Sequence, residues 1–145
     1  MIRAALIWAA WPAVALAQVP FDAAPLNACL ADGGRDACIG ITADACMEQP
    51  AGQTTAGMTD CFSNEWAIWD ARLNATYAEV MTRAGKGSEQ ATALRDMQRA
   101  WITYRDAACA YDGTTWEGGS GRVPSAAHCQ MVLTARQALW LDRYN

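Results

Sequence analysis

The chain has 145 residues, with 11 basic and 15 acidic side chains and a formal net charge of -4 at pH 7. An acidic chain with few, scattered cations is a poor partner for nucleic acid or for an anionic membrane surface, and a cationic partner suits it better. Six cysteines and one histidine occur, but no Cys-x-x-Cys pair and no finger-type spacing that would indicate a zinc site. We therefore expect no metal, no other cofactor and no nucleic acid partner.

The N-terminus has the layout of a secretory signal peptide. A basic Arg3 precedes an apolar run over residues 4–16, and small residues stand at Ala15 and Ala17. The apolar run is shorter than the roughly 20 residues that a membrane-spanning helix needs. We expect residues 1–17 to be cleaved and the remaining chain to be exported, to the periplasm or the medium, without a membrane span.

Residues 18–57 are predicted to be an N-terminal extension, and they contain three of the six cysteines. Residues 26–47 are alanine-rich and predict two short helices, broken at Gly33 and Gly34, before a loop over residues 48–57. A segment this short has little apolar core of its own, so covalent links are its expected means of ordering.

A regular apolar pattern begins at residue 58, and residues 58–145 are the predicted helical domain. Spacings of three and four predict a long first helix that ends at Gly85 and Gly87. A second amphipathic helix is predicted from Ser88 to about Ala110. The predicted fold class is all-α, a small disulfide-stapled helical bundle built on a long antiparallel helical hairpin. The apolar stripe of the second helix consists of Leu94, Met97, Trp101, Tyr104 and Ala108.

A turn centred near Gly87 predicts the register of this hairpin. Arg105 and Asp106 are adjacent and project about 100° apart on a helix, so they do not converge on one substrate group. We expect the polar side chains of the two helices to hold the hairpin together rather than to catalyse a reaction. The predicted facing pairs are Met81 with Leu94, Tyr77 with Gln98, Leu73 with Trp101 and Asp70 with Arg105, and the structural polar residues are Asp70, Asn74, Gln98, Arg105 and Asp106.

Residues 111–127 are predicted to be irregular because they contain four glycines and a proline. The glycines allow the backbone to turn sharply and to approach a partner closely, while Ser120 and Arg122 offer hydrogen-bond donors. A plain connector between two helices is an equally good interpretation, with a last helix from Ser125 covering the hairpin. The candidate partner-binding residues are Trp116, Gly118, Gly119, Ser120 and Arg122.

No catalytic constellation is evident in the sequence. Nucleophilic catalysis needs a base beside the nucleophile, and Ser125 and His128 lie three residues apart without a third group. The carboxylates show no spacing that would single out a glycosidase pair. The sequence therefore favours a binding protein over an enzyme.

Residues 98–109 read QRAWITYRDAAC, and they are followed by Gly-Gly-Ser at residues 118–120 and by Cys129. With the Trp-Asp pair at residues 69–70, this string resembles the LprI-type lysozyme-inhibitor domain of exported bacterial proteins. The resemblance covers residues 61–139 and implies a disulfide-stapled helical bundle. It implies lysozyme, or another cationic envelope protein, as the partner. The alternative is a non-catalytic, envelope-associated structural or glycan-binding module.

An even number of cysteines in a small exported domain is typical of disulfide bonds. Cys109 and Cys129 lie where helices meet the Gly-rich segment, and a disulfide between them would link its two ends. For the other four cysteines, proximity in the sequence is the guide. The expected pairs are Cys109 with Cys129, Cys46 with Cys61, and Cys29 with Cys38.

Overall fold

A computed structural model describes residues 20–145, so the expected leader at residues 1–17 lies outside the described residues. Over residues 20–145 the chain forms α-helices and two short 3-10 turns, and this range contains no β-strand. The expected all-α fold class is confirmed. The helices are α1 (Ala24–Ala31), α2 (Ile41–Met47), α3 (Thr55–Ala84), α4 (Glu89–Thr114) and α5 (Arg122–Leu141).

The turn between the two long helices lies at the predicted glycines, but α3 begins at Thr55, three residues before the predicted start at residue 58. The Thr54 side chain accepts a hydrogen bond from the backbone N–H of Gly57 and caps α3, and the Ser88 hydroxyl accepts one from Ala91 and caps α4. Gly85 and Gly87 adopt φ angles of 83° and 78°, so the turn between α3 and α4 uses the left-handed region that glycine tolerates.

The irregular segment is shorter than the sequence predicted. Helix α4 continues to Thr114 and α5 begins at Arg122, so residues 115–121 alone connect them, instead of residues 111–127. Composition misled the prediction because Gly113 and Pro124 are compatible with helix: Gly113 is buried against α5, and Pro124 lies in the first turn of α5. The shorter connection holds the ends of α4 and α5 close together.

Helix α5 is the central packing partner of the bundle. Helices α3 and α4 each pack along α5 and contact each other far less. Phe62 contacts His128 near the start of both helices, and Arg83 donates a hydrogen bond to the carbonyl of Tyr144 at their far ends, so α3 and α5 run parallel. The hairpin helices therefore do not form the main interface, and α5 lies between them instead of covering a finished pair.

The predicted pair of Asp70 with Arg105 is wrong, although Tyr77 and Gln98, another predicted facing pair, line one cavity between α3 and α4. Asp70 accepts a hydrogen bond from Asn74 on its own helix at 3.0 Å, and both Nε and Nη2 of Arg105 donate to the Asp106 carboxylate, at 2.9 and 2.8 Å. Each of the two side chains is therefore bonded within its own helix, and α3 and α4 contact each other far less than each contacts α5. Gln98 likewise bonds α5, accepting from the Gln137 amide at 3.0 Å. The Arg105 side chain is long enough to reach Asp106, although adjacent residues of a helix project about 100° apart.

A buried carboxylate joins the N-terminal extension to α3. Glu65 is 0% exposed, and its two oxygens accept hydrogen bonds from the backbone N–H groups of Gly40 (2.6 Å), Thr42 (3.0 Å) and Ala43 (2.8 Å). The Thr42 hydroxyl donates at 2.7 Å and the Trp69 indole at 3.0 Å. Helix α2 has no capping side chain of its own, so a residue of α3 caps it.

Three disulfides cross-link the described chain, and they join the same pairs that the sequence led us to expect. Within the extension, the first bond has a Cα–Cα distance of 5.7 Å. The second joins α2 to α3 at 5.7 Å, one helical turn before Glu65, and the third joins α4 to α5 at 5.3 Å. The pairs are Cys29 with Cys38, Cys46 with Cys61, and Cys109 with Cys129.

Across residues 20–145, no helix is both long enough and apolar enough to cross a bilayer.

Candidate partner-binding site

The connection between α4 and α5 is a tightly folded loop, which we call the stapled loop (residues 115–121). Successive turns are closed by hydrogen bonds from the N–H of Glu117 to the carbonyl of Thr114 (3.1 Å) and from the N–H of Gly119 to that of Trp116 (2.7 Å). Glu117 and Gly118 have φ angles of 44° and 83°. The third disulfide joins the flanking helices, so the loop is restrained at both ends as well as by its own turns.

The indole of Trp116 lies against the backbone of Gly121. A Cβ atom built on Gly121 would stand 2.2 Å from the Cε3 atom of Trp116, so no larger residue fits beneath this ring. The Trp116 side chain nevertheless remains 52% exposed. The loop therefore presents a fixed aromatic surface to solvent.

A groove of about 420 Å³ adjoins this ring, between the loop and the first turns of α3 and α5. Its lining contains aromatic, hydroxyl and imidazole groups and no carboxylate, lysine or arginine. The contribution of α3 could not be predicted from the sequence, because Met58 and Phe62 belong to its apolar stripe. The groove is lined by Thr55, Met58, Phe62, Trp116, Ser120, Gly121, Pro124, Ser125 and His128.

The side chains of Ser125 and His128 in the groove are engaged with other groups. The Ser125 hydroxyl donates to the carboxylate of Asp112 at 2.6 Å. The His128 ring packs edge-on against Phe62, with the centroids 4.9 Å apart. Because the hydroxyl is hydrogen-bonded to a carboxylate and not to the imidazole, these residues do not form a nucleophile and base pair.

The structure brings together some of the candidate partner-binding residues. Trp116 and Ser120 line the groove, while Gly118 and Gly119 form the exposed turn beside it. Arg122 begins α5, and the stem of its side chain passes 3.4 Å from where a Cβ of Gly113 would stand. The five polar residues predicted to be structural lie on α3 and α4, outside the lining of this groove.

Two tyrosines extend the exposed aromatic surface along α4. Tyr104 is 60% exposed and Tyr111 is 74% exposed, and they lie two turns apart on the same side of the helix. Tyr104 was expected in the buried stripe with Trp101, but α5 covers a narrower strip of α4 than the sequence pattern suggests. Exposed aromatic side chains therefore occur both in the loop and on the second half of α4.

The sequence profile of the family described as "Lysozyme inhibitor LprI" matches residues 46–141. The chain belongs to the LprI family. The matched part runs from Cys46 in α2 to the last residue of α5, so it contains the second and third disulfides, Glu65 and the stapled loop. Helix α1 and the first disulfide precede it.

One curated relative is an "uncharacterized 17.7 kDa protein in puhA 5'region" from Rhodobacter capsulatus. It is 28% identical to this LprI-family chain over 118 residues, which cover 73% of each protein. No solved structure matches the chain.

Proposed function

We propose that this chain is an extracytoplasmic, non-catalytic binding protein that inhibits lysozyme through the stapled loop and Arg122. Membership of a family named for lysozyme inhibition supports the class of partner. The observation that carries the proposal is a fixed loop that leaves Trp116 half exposed beside an open groove. The proposed contact residues are Trp116, Gly118, Gly119, Ser120 and Arg122.

The rigidity of the loop supports a role in recognition. A partner that binds a preorganised loop avoids most of the entropy loss of ordering it, and exposed tryptophans are frequent sources of interface binding energy. The cross-link between Cys109 and Cys129, with Trp116 packed on Gly121, supplies this preorganisation. A loop of seven residues offers little contact area by itself, and the exposed Tyr104 and Tyr111 of α4 would add to it.

The chemistry of the loop suits the active-site cleft of a glycosidase. Such enzymes use a pair of carboxylates that flank the scissile bond. Backbone N–H groups at Gly118 and Gly119, the hydroxyl of Ser120 and the guanidinium of Arg122 are donors that carboxylates accept. The net negative charge of the whole chain favours its encounter with a cationic enzyme.

The disulfides support a location outside the cytoplasm. Structural disulfides form and persist in oxidising compartments, and three of them occur in the short chain that the structure describes. We place the protein in the periplasm or the external medium, where a lysozyme would be met.

The test is to titrate the oxidised chain, without residues 1–17, into a lysozyme turnover assay at moderate salt. Inhibition by the unaltered chain, weakened at least about tenfold by Trp116→Ala, is the expected result. Tyr144→Ala is the matched control because Tyr144 is equally exposed at 52%, at the far end of the bundle. Absence of inhibition of several lysozyme types at micromolar concentration would refute the proposal.

A second candidate function, glycan binding, rests on the lining of the groove. An exposed indole face beside the hydroxyls of Ser120 and Ser125 and the imidazole of His128 suits an uncharged sugar ring. Retention of the chain on purified peptidoglycan, lost on Trp116→Ala while lysozyme turnover is unaffected, would favour this function over inhibition.

A further inference from the structure

Helices α3 and α4 diverge after the turn that joins them, and a cleft remains between them. Two cavities of about 370 and 350 Å³ lie along it, and Arg95 lines both. We call this region the α3–α4 cleft. The first cavity is lined by Met81, Thr82, Lys86, Gly87, Ala91 and Arg95, and the second by Asn74, Tyr77, Arg95, Gln98, Arg99 and Ile102.

The cleft is positively charged although the protein is acidic. Lys86, Arg95 and Arg99 line it, and no aspartate or glutamate lines either cavity. Over residues 20–145 the ion pairs are Arg35 with Asp142 at 3.9 Å and Arg105 with Asp106 at 2.8 Å, so none of the three cleft cations is in an ion pair. A chain with net charge -4 thus keeps three cations together without a carboxylate partner, an arrangement that favours an anionic ligand.

The uncharged groups of the cleft offer both a donor and an acceptor. The Gln98 carbonyl oxygen is already used by the amide of Gln137, which leaves its NH₂ group to donate. The Asn74 NH₂ group is used by Asp70, which leaves its carbonyl oxygen to accept. A peptide unit, with one C=O and one N–H, matches this pair, whereas a phosphate group has no proton to donate when fully ionised.

The spacing of the two arginines matches an extended chain. Arg95 and Arg99 lie one turn apart on α4, which corresponds to about 6 Å along the helix axis. Alternate side chains of an extended peptide project to the same side about 7 Å apart. Two glutamates at alternate positions would therefore reach both guanidinium groups, while Ile102 and Met81 offer apolar contacts at the two ends.

We propose that the α3–α4 cleft binds an extended acidic peptide segment of another protein. Carboxylates at alternate positions pair with Arg95 and Arg99, and Lys86 attracts a further negative charge. The peptide backbone between them bonds to Gln98 and Asn74. This site is separate from the stapled loop, and it does not depend on lysozyme inhibition.

The test uses the oxidised chain and a fluorescent octapeptide with glutamate at alternate positions and serine between them, at about 50 mM salt. We expect saturable binding that the double variant Arg95→Gln, Arg99→Gln weakens at least about tenfold. The control double variant Arg72→Gln, Arg136→Gln removes the same charge from exposed positions outside the cleft and should change binding less than about twofold. A peptide with glutamine in place of glutamate should not bind.

Three results would overturn the proposal. They are absence of peptide binding, equal weakening by the two double variants, and binding of inorganic pyrophosphate under conditions where the peptide does not bind. The last result would indicate a phosphate site instead. Circular dichroism checks that both double variants are folded, and lysozyme turnover measured in parallel should be unaffected by the cleft variant, so the two proposals fail separately.

Discussion

The two ends of the helical bundle are built in opposite ways. At the end where α3 and α5 begin, two disulfides, the buried Glu65 and the stapled loop hold neighbouring segments together. At the other end a four-residue turn joins α3 to α4, and the helices then separate around the α3–α4 cleft. The cross-linked end presents an exposed tryptophan beside an uncharged groove, and the open end leads into a cleft lined by three cations.

The largest expected effect is at the cross-linked end. Glu65→Gln replaces one acceptor oxygen with an NH₂ group that faces backbone N–H donors, so it should lower the free energy of unfolding by about 4 kcal/mol. Urea unfolding with the disulfides intact measures the change. Glu79→Gln, on the same helix but exposed, should change it by less than about 0.5 kcal/mol. Equal effects of the two substitutions would contradict the role assigned to Glu65.

Removal of the third disulfide should have the next largest effect. The double variant Cys109→Ala, Cys129→Ala opens a covalent loop with a sequence separation of 20 residues, which corresponds to about 3 kcal/mol of stability. Amide hydrogen exchange over residues 115–121 should also become faster, because the loop ends are no longer fixed. Unchanged exchange would show that the hydrogen-bonded turns alone hold the loop.

A smaller effect is expected inside the stapled loop. Gly121→Ala places a methyl group where the Trp116 ring lies, so the indole must move, at a cost of about 1 to 2 kcal/mol. Ser120→Ala, at the neighbouring exposed position, should leave stability unchanged. The change in fluorescence caused by Gly121→Ala, measured in the unaltered chain and again in a Trp116→Phe background, isolates the part that comes from Trp116. An unshifted emission maximum would contradict the packing of this ring on Gly121.

The smallest effect is expected between α3 and α4, in the middle of the bundle. Since Asp70 and Arg105 do not pair, a double-mutant cycle with Asp70→Asn and Arg105→Gln should give a coupling energy within about 0.3 kcal/mol of zero. A cycle between Arg105 and Asp106 should give a favourable value of up to about 1 kcal/mol. A large coupling energy in the first cycle would indicate that Asp70 and Arg105 pair directly.

Local signals in the sequence were sufficient for the turn between α3 and α4 and for the order of the elements, but not for the start of α3, the end of α4 or the start of α5. Thr54 and Ser88 act through the nearest backbone groups, and Gly85 and Gly87 act on their own dihedral angles. These interactions do not depend on the rest of the fold, which explains why the sequence identified the turn. The pairing of helices is not local, because a third helix with apolar residues on several faces competes for the same surfaces.

The role of Glu65 was missed although the sequence contained a signal for it. Glu65 lies three residues after Phe62 and four before Trp69, within the apolar stripe of α3. A carboxylate in such a stripe has to find donors, since burial without them is costly. The backbone donors belong to Gly40 and to the first turn of α2, and nothing in the pattern of that segment identifies it as their source. The cleft could not be predicted for a similar reason. Lys86, Arg95 and Arg99 are spread along the sequence, and they come together only because α3 and α4 separate around them.

The shared cap of α2 also constrains the order in which the chain can fold. Helix α2 has seven residues, fewer than an isolated helix needs for stability in water. Its capping carboxylate comes 23 residues after Thr42 in the chain. The extension can therefore not complete α2 until α3 has formed and supplied the carboxylate. We expect α2, although it lies near the N-terminus, to be among the last helices to reach its final structure.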